Sequence, residues 1–148
     1  MKLEHNLLTT DFSKEARRAY APVAELARRV GARITLLHVI SYQTALPTDV
    51  LGAPAVLLSD PEQERKDALA LLEQEAAQLG AGLELKLDAL LAADVPQGVV
   101  EYASKHRAHL IALSTHGRTG FRRLVLGSVA EAILRHSRVP VLCFPASK

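Results

Sequence analysis

A chain of 148 residues, 49% hydrophobic and 23% charged, is long enough to bury roughly two-thirds of its unfolded surface and too apolar to stay disordered. A formal charge of +2, with the basic residues spread over several segments, excludes the concentrated stripe of a nucleic-acid surface. No window approaches the ~18 uninterrupted apolar residues of a membrane span, the opening MKLEHNLLTTDF lacks a secretory core, and the lone Cys143 has no internal disulfide partner, so a cytoplasmic protein with no membrane role is expected.

Leu7-Leu8-Thr9-Thr10 predicts a first strand, and Ser13 is placed to cap the helix after it. Ala16, Ala19, Tyr20, Val23, Leu26, Ala27 and Val30 fall on one helical face, Gly31 fits the position just past its end, and Pro22 predicts a bend. Ile34–Ile40 is apolar with almost no alternation, as a parallel strand covered on both faces would be. Residues 41–60 hold two prolines and no steady period, a connection long enough to suggest a job such as a lid. Asp60-Pro61, with Gln63 three residues after the cap, starts a helix whose buried stripe is Leu69, Leu72, Ala76 and Leu79, closed by Gly80. Leu83, Leu85 and Leu87 alternate with charges and predict a half-exposed edge strand. Asp94 and Gln97 open a helix carrying Val99, Val100 and Ala103, Leu110–Leu113 form a fourth strand, a helix runs from Ser128 to about His136, and Val139–Phe144 close the chain as a fifth strand. The expected architecture is a single doubly wound α/β domain over residues 1–148, with a five-stranded, mainly parallel sheet and helices on both faces.

In such a fold ligands sit beyond the carboxyl ends of the strands, where Thr9-Thr10-Asp11, Val39 and the stretch Ser114–Gly127 converge. That stretch, STHGRTGFRRLVLG, contains Gly117, Gly120 and Gly127 together with Arg118, Arg122 and Arg123, and it leads into the free amides of the helix at Ser128. Glycine lets backbone amides approach a phosphate and a helix start adds its dipole, so an anion cradle is one reading. A plain turn closed by a Ser128–Glu131 capping box is the other. Neither GxxxxGK[ST] nor GxGxxG occurs.

NLLTTDFSKEARRA, ARITLLHVI and HLIALSTHGRTGFRRLVLGSVAEAILRHSRVPVLCF together resemble the universal stress proteins over nearly the whole chain. The pattern G-x2-G-x9-G-[ST] of that family's ATP-binding members is matched at Gly117, Gly127 and Ser128, with Ser114 where the first glycine would fall. The resemblance implies strand order 3-2-1-4-5 and a site for ATP (or ADP or AMP). Asp11 and the backbone near Val39 would lie on adenine, with Thr9 and Thr10 alongside. Leu113 and Ser114 would lie on ribose, and Gly117, Arg118, Gly127, Ser128 and Val129 around the phosphates. Mg2+ would ride on the phosphates and not in a protein cage. It also implies a homodimer through strand 139–144, sparing Pro140, which lacks a ladder donor.

His116 fits hydrogen bonding in a turn better than catalysis, and His106 and His109 are not spaced as metal ligands on one face. His38 reads as a satisfied core or edge residue, and Cys143 as buried and inert. Ser13 and Ser128 have no visible base to activate them, so no catalytic residue is expected and ATP turnover would be slow at most. A second functional reading is a module that binds no nucleotide and acts through protein contacts, with Leu51, Val56, Leu57 and Leu58 as a docking segment. A dedicated nucleotide-activating enzyme fits worse, because those enzymes carry a Ser/Gly-rich loop where this chain has TTDFSKEA.

Overall fold

Leu7 and Leu8 are adjacent and both fully buried, which requires a strand covered on each face. They lie in β1 (His5–Thr9), at the centre of a five-stranded sheet with β2 (Arg33–Ser41), β3 (Leu85–Ala92), β4 (Leu110–Ser114) and β5 (Val141–Phe144). The computed structural model describes residues 2–42, 60–115 and 126–145. The loop 41–60, apart from its ends, and both Gly117 and Arg118 therefore lie outside the described residues. Strand order is β3-β2-β1-β4-β5, and every pairing is parallel. The order reverses between β1 and β4.

Alternate residues build two cores. Leu8, Ile34, Leu36 and Ala112 pack under α1 (Tyr20–Val30) and α2 (Pro61–Ala76), through Val23, Ala27 and Leu72. Leu7, Leu37, Ile111 and Leu113 pack under α3 (Val95–Lys105) and α4 (Ser128–His136), through Val99, Ala103 and Ile133.

Several local expectations change in detail. Pro22 is the third residue of α1, inside the first turn where amides have no intrahelical partner, so it needs no bend. The change of winding falls upstream, where Ala16–Ala19 form a 3-10 turn whose first amide, from Ala16, donates to Ser13 Oγ at 3.1 Å. Asp60 caps α2 by accepting from Glu62 N, while Gln63 turns outward to Asp67 and leaves the cap alone. In α2 the buried positions are Ala68, Leu72 and Glu75, with Leu69 and Ala76 only half-buried. The edge strand β3 starts at Leu85 and runs on to Ala92, past the alternating stretch, and β5 begins at Val141.

Candidate functional site at the carboxyl rim of the sheet

Thr10, just past the end of β1, is buried and fully bonded. Its amide donates to Leu37 O at 2.9 Å, and its carbonyl accepts from His38 Nδ1 at 2.8 Å. Its hydroxyl oxygen accepts from Phe12 N at 3.0 Å and from Tyr20 OH at 2.7 Å. Asp11 Oδ1 accepts from Ser13 N at 3.0 Å, closing a turn of the kind aspartate side chains favour. Between them Phe12 sits at φ +65°, a left-handed conformation that is a genuine outlier for a bulky residue. Its ring packs 4.3 Å from that of His38. Backbone strain held this firmly clusters at binding sites. The network continues inward: burial pushes the Tyr20 hydroxyl well above its usual range, and Arg17 grips the buried Glu75 with Nη2 at 2.8 Å and Nε at 3.0 Å.

The second half of the rim comes from β4 and α4. Ser114 is the last residue of β4, and its backbone is ordinary strand: among the described non-glycine residues only Phe12 and Arg107 have positive φ. Replacement of a motif glycine here therefore strains nothing. Thr115 N donates to Phe144 O at 2.9 Å, and Thr115 O accepts from Gly127 N at 2.9 Å. A Cβ on Gly127 would lie 2.8 Å from that same carbonyl, so only glycine fits this close approach. Gly127 is also the residue that caps α4, and no side chain among the described residues caps that end. The Ser128–Glu131 capping box is thus not formed. Ser128 is the first helical residue, one place too late to cap, and Glu131 instead pairs with Arg135 at 2.9 Å. The opening amides of α4 are left to other acceptors, beside the exposed Ser128 and Val129.

Thr9, Thr10 and Asp11 follow β1, Leu113 and Ser114 end the neighbouring β4, and Gly127, Ser128 and Val129 start α4; all lie about the point of strand reversal. Val39 lies beyond the end of β1, since Thr9 pairs with Leu37, and its side chain faces α3 within the core. Sequence reasoning missed Phe12, Tyr20 and His38 as shapers of this rim. The signal was a non-glycine residue between two turn-forming polar side chains, Thr10 and Asp11. No described group of three or more His, Cys, Asp or Glu residues could hold a metal ion. His106 instead stacks on Tyr102 with ring centroids 4.0 Å apart, and Cys143 is half-buried, its thiol pushed up by burial. No described helix is long and apolar enough to cross a membrane.

Fold and rim together define a doubly wound α/β protein whose strand order reverses between β1 and β4, the point where this class of fold receives its ligands. The residue pattern of the Universal stress protein family matches residues 4–145, and the chain belongs to that family. It is 27% identical over 137 residues to universal stress protein MJ0531 of Methanocaldococcus jannaschii, covering 92% of this chain and 78% of that one. The solved structure of MJ0577 from the same organism superimposes with a TM-score of 0.76 at 22% identity, over 100% of this chain and 99% of that one. A universal stress protein solved in complex with cAMP gives a TM-score of 0.68 at 20% identity, over 99% and 100% of the two chains. A protein from Archaeoglobus fulgidus, solved with dAMP, gives 0.59 at 20%, over 97% and 98%.

Proposed function

We propose that this universal stress protein binds an adenine nucleotide at the carboxyl rim, with ATP as the preferred ligand, and acts in the cytoplasm as a nucleotide-responsive regulatory module. The observation that carries the reading is the start of α4, capped by no side chain among the described residues and set against β4 by a glycine that admits no side chain. Open amides of a helix start are phosphate donors in search of an acceptor. The adenine nucleotides bound by two proteins of the same fold support it. Asp11 and the main chain at Val39 would receive the base, with Thr9 and Thr10 beside it. Leu113 and Ser114 would receive the ribose, and Gly117, Arg118, Gly127, Ser128 and Val129 the phosphates. The donor set suits phosphate oxygens and not a cation, so Mg2+ would be held mainly by the phosphates and its own water. Main-chain amides bind phosphate without moving protons, and hydrolysis is accordingly slow at most.

Titration with Mg-ATP tests the reading. The wild-type protein should bind, and Gly127→Val, which drives a branched side chain against Thr115 O, should lose about tenfold or more in affinity while keeping its fold. Absence of binding by the wild type at millimolar ATP, or undiminished binding by the variant, would overturn it.

A homodimer through β5 belongs to the same proposal and to the alternative of a module working by protein contacts alone. β5 is an edge strand with Leu142 exposed. The Pro140 carbonyl faces inward, accepting from Ile111 N at 3.0 Å, so the missing proline donor lies on the β4 side. The outer side offers Val141 and Cys143 for pairing.

A further inference from the structure

At the opposite, amino rim of the sheet, α1 and α3 end in the same way. After α1, Gly31 is left-handed at φ +68° and Ala32 N donates back to Ala27 O at 2.9 Å. After α3, Arg107 is left-handed at φ +53° and Ala108 N donates back to Ala103 O at 2.8 Å. This is the helix ending at which glycine is the strain-free residue. At the second copy an arginine occupies it.

The strands that follow place basic side chains side by side. His5 of β1 pairs with Arg33 of β2, and His109 N donates to His5 O at 2.8 Å, so Arg33, His5 and His109 form a cross-strand row. Alternation puts all three on the α3 side of the sheet, where Thr35, Leu7 and Ile111 follow them. Burial, with the Arg33 charge next, holds His5 below its ordinary pKa; its Nδ1 donates to His106 O and its Nε2 accepts from Thr35 Oγ1. His109 Nδ1 is buried without a hydrogen-bond partner among the described residues. Arg33 and Arg107 are exposed, and neither side chain makes a hydrogen bond or ion pair there.

These residues, with Lys2 and Glu4, line a cavity of about 340 Å³. Glu4 is engaged by Lys2 at 3.5 Å. The two helix ends offer roughly half a negative charge each, less than the two guanidiniums beside them. We infer that the amino rim is a second anion site, separate from the nucleotide rim, built for a small oxyanion of the phosphate class by the guanidiniums of Arg33 and Arg107, with His109 beside them and His5 packed beneath. The strained arginine is the telling residue: glycine would serve the turn better and would serve an anion not at all.

The test is an NMR titration of the 15N-labelled full chain with sodium pyrophosphate, then orthophosphate, at constant ionic strength. Amides of Arg33, Arg107, Ala108 and His109 should shift saturably, with a Kd of about 1 mM or tighter. Gly127 and Ser128 report the other rim independently. Arg107→Gly should weaken pyrophosphate by about tenfold or more while leaving Tm unchanged or raised by about 2–4 °C, because it relieves the left-handed strain. Arg33→Gln should weaken it likewise without moving Gly127. Saturation confined to Gly127 and Ser128, equal shifts with chloride, or wild-type affinity in both variants would overturn the inference.

Discussion

Asn6 lies fully buried in β1, and neither Nδ2 nor Oδ1 has a hydrogen-bond partner among the described residues. An orphaned buried amide costs about 1–3 kcal/mol, and replacing it with an apolar group of the same shape recovers much of that. Asn6→Leu should therefore raise Tm by several degrees in a thermal melt, about 2–4 °C per kcal/mol in a chain of this size. A lower Tm would show that an ordered water satisfies the amide and is lost with it. From the sequence, Asn6 looked like the polar flank of an apolar run; only the pairing of β1 on both sides reveals that it is enclosed. Thr10 was named as a site residue, but the network that ties it to Phe12 was hidden for the same reason. Their meaning depends on Tyr20, ten residues from Thr10, and His38, twenty-eight residues away, and periodicity carries no such information.

The element most exposed to unwanted pairing is β3, and it is guarded at its middle. Arg65 reaches from α2 round the edge, donating from Nε to Ala89 O at 3.1 Å, and Ala89 N donates to Asp88 Oδ1 at 2.9 Å. Both outward backbone groups of that residue are thus consumed, which blunts a bare edge. Tyr102 OH fixes Asp88 from α3 at 2.7 Å. Burial alone would raise the Asp88 carboxyl, but the Tyr102 hydroxyl, Lys86 and Arg65 outweigh it and hold the pKa below the ordinary value. A depressed carboxylate contributes stability that is complete above its unfolded value of about 4 and is lost as pH falls through the folded value. Asp88→Asn should therefore lower Tm at pH 7, and that gap from wild type should shrink in melts near pH 3. A gap independent of pH would deny the carboxylate this role. Strand existence was legible here because Leu83, Leu85 and Leu87 alternate. The length of β3 was not, since its later half, Ala89–Ala92, loses the alternation.

At the scale of the whole molecule, the two-sided core was readable from the succession of strand and helix patterns, whereas the order of strands came from the resemblance to the universal stress proteins. The carboxyl rim was readable through its glycines. The amino rim was not: its basic residues come from three separate stretches of the chain, and only strand register aligns them. The one sequence clue is the likeness of Gly31-Ala32-Arg33 to Arg107-Ala108-His109, two helix endings that differ where glycine gives way to arginine. The proposed self-association also belongs to the scale of the whole chain. With Leu142 exposed on the free edge, Leu142→Asp should convert the dimer to monomer in sedimentation at micromolar concentration while leaving the nucleotide rim intact. A wild-type protein that sediments only as a monomer would remove β5 as an interface.

The bond from Gly127 N to Thr115 O works as a clasp: it fastens the chain back on itself before and after residues 116–126. Whatever is stitched between those two points, the hem stays put. Extending such a segment is cheap, since each doubling adds only about 0.6 kcal/mol of closure entropy. A change of chain length between those two points would leave the fastening, and with it the start of α4, where it is.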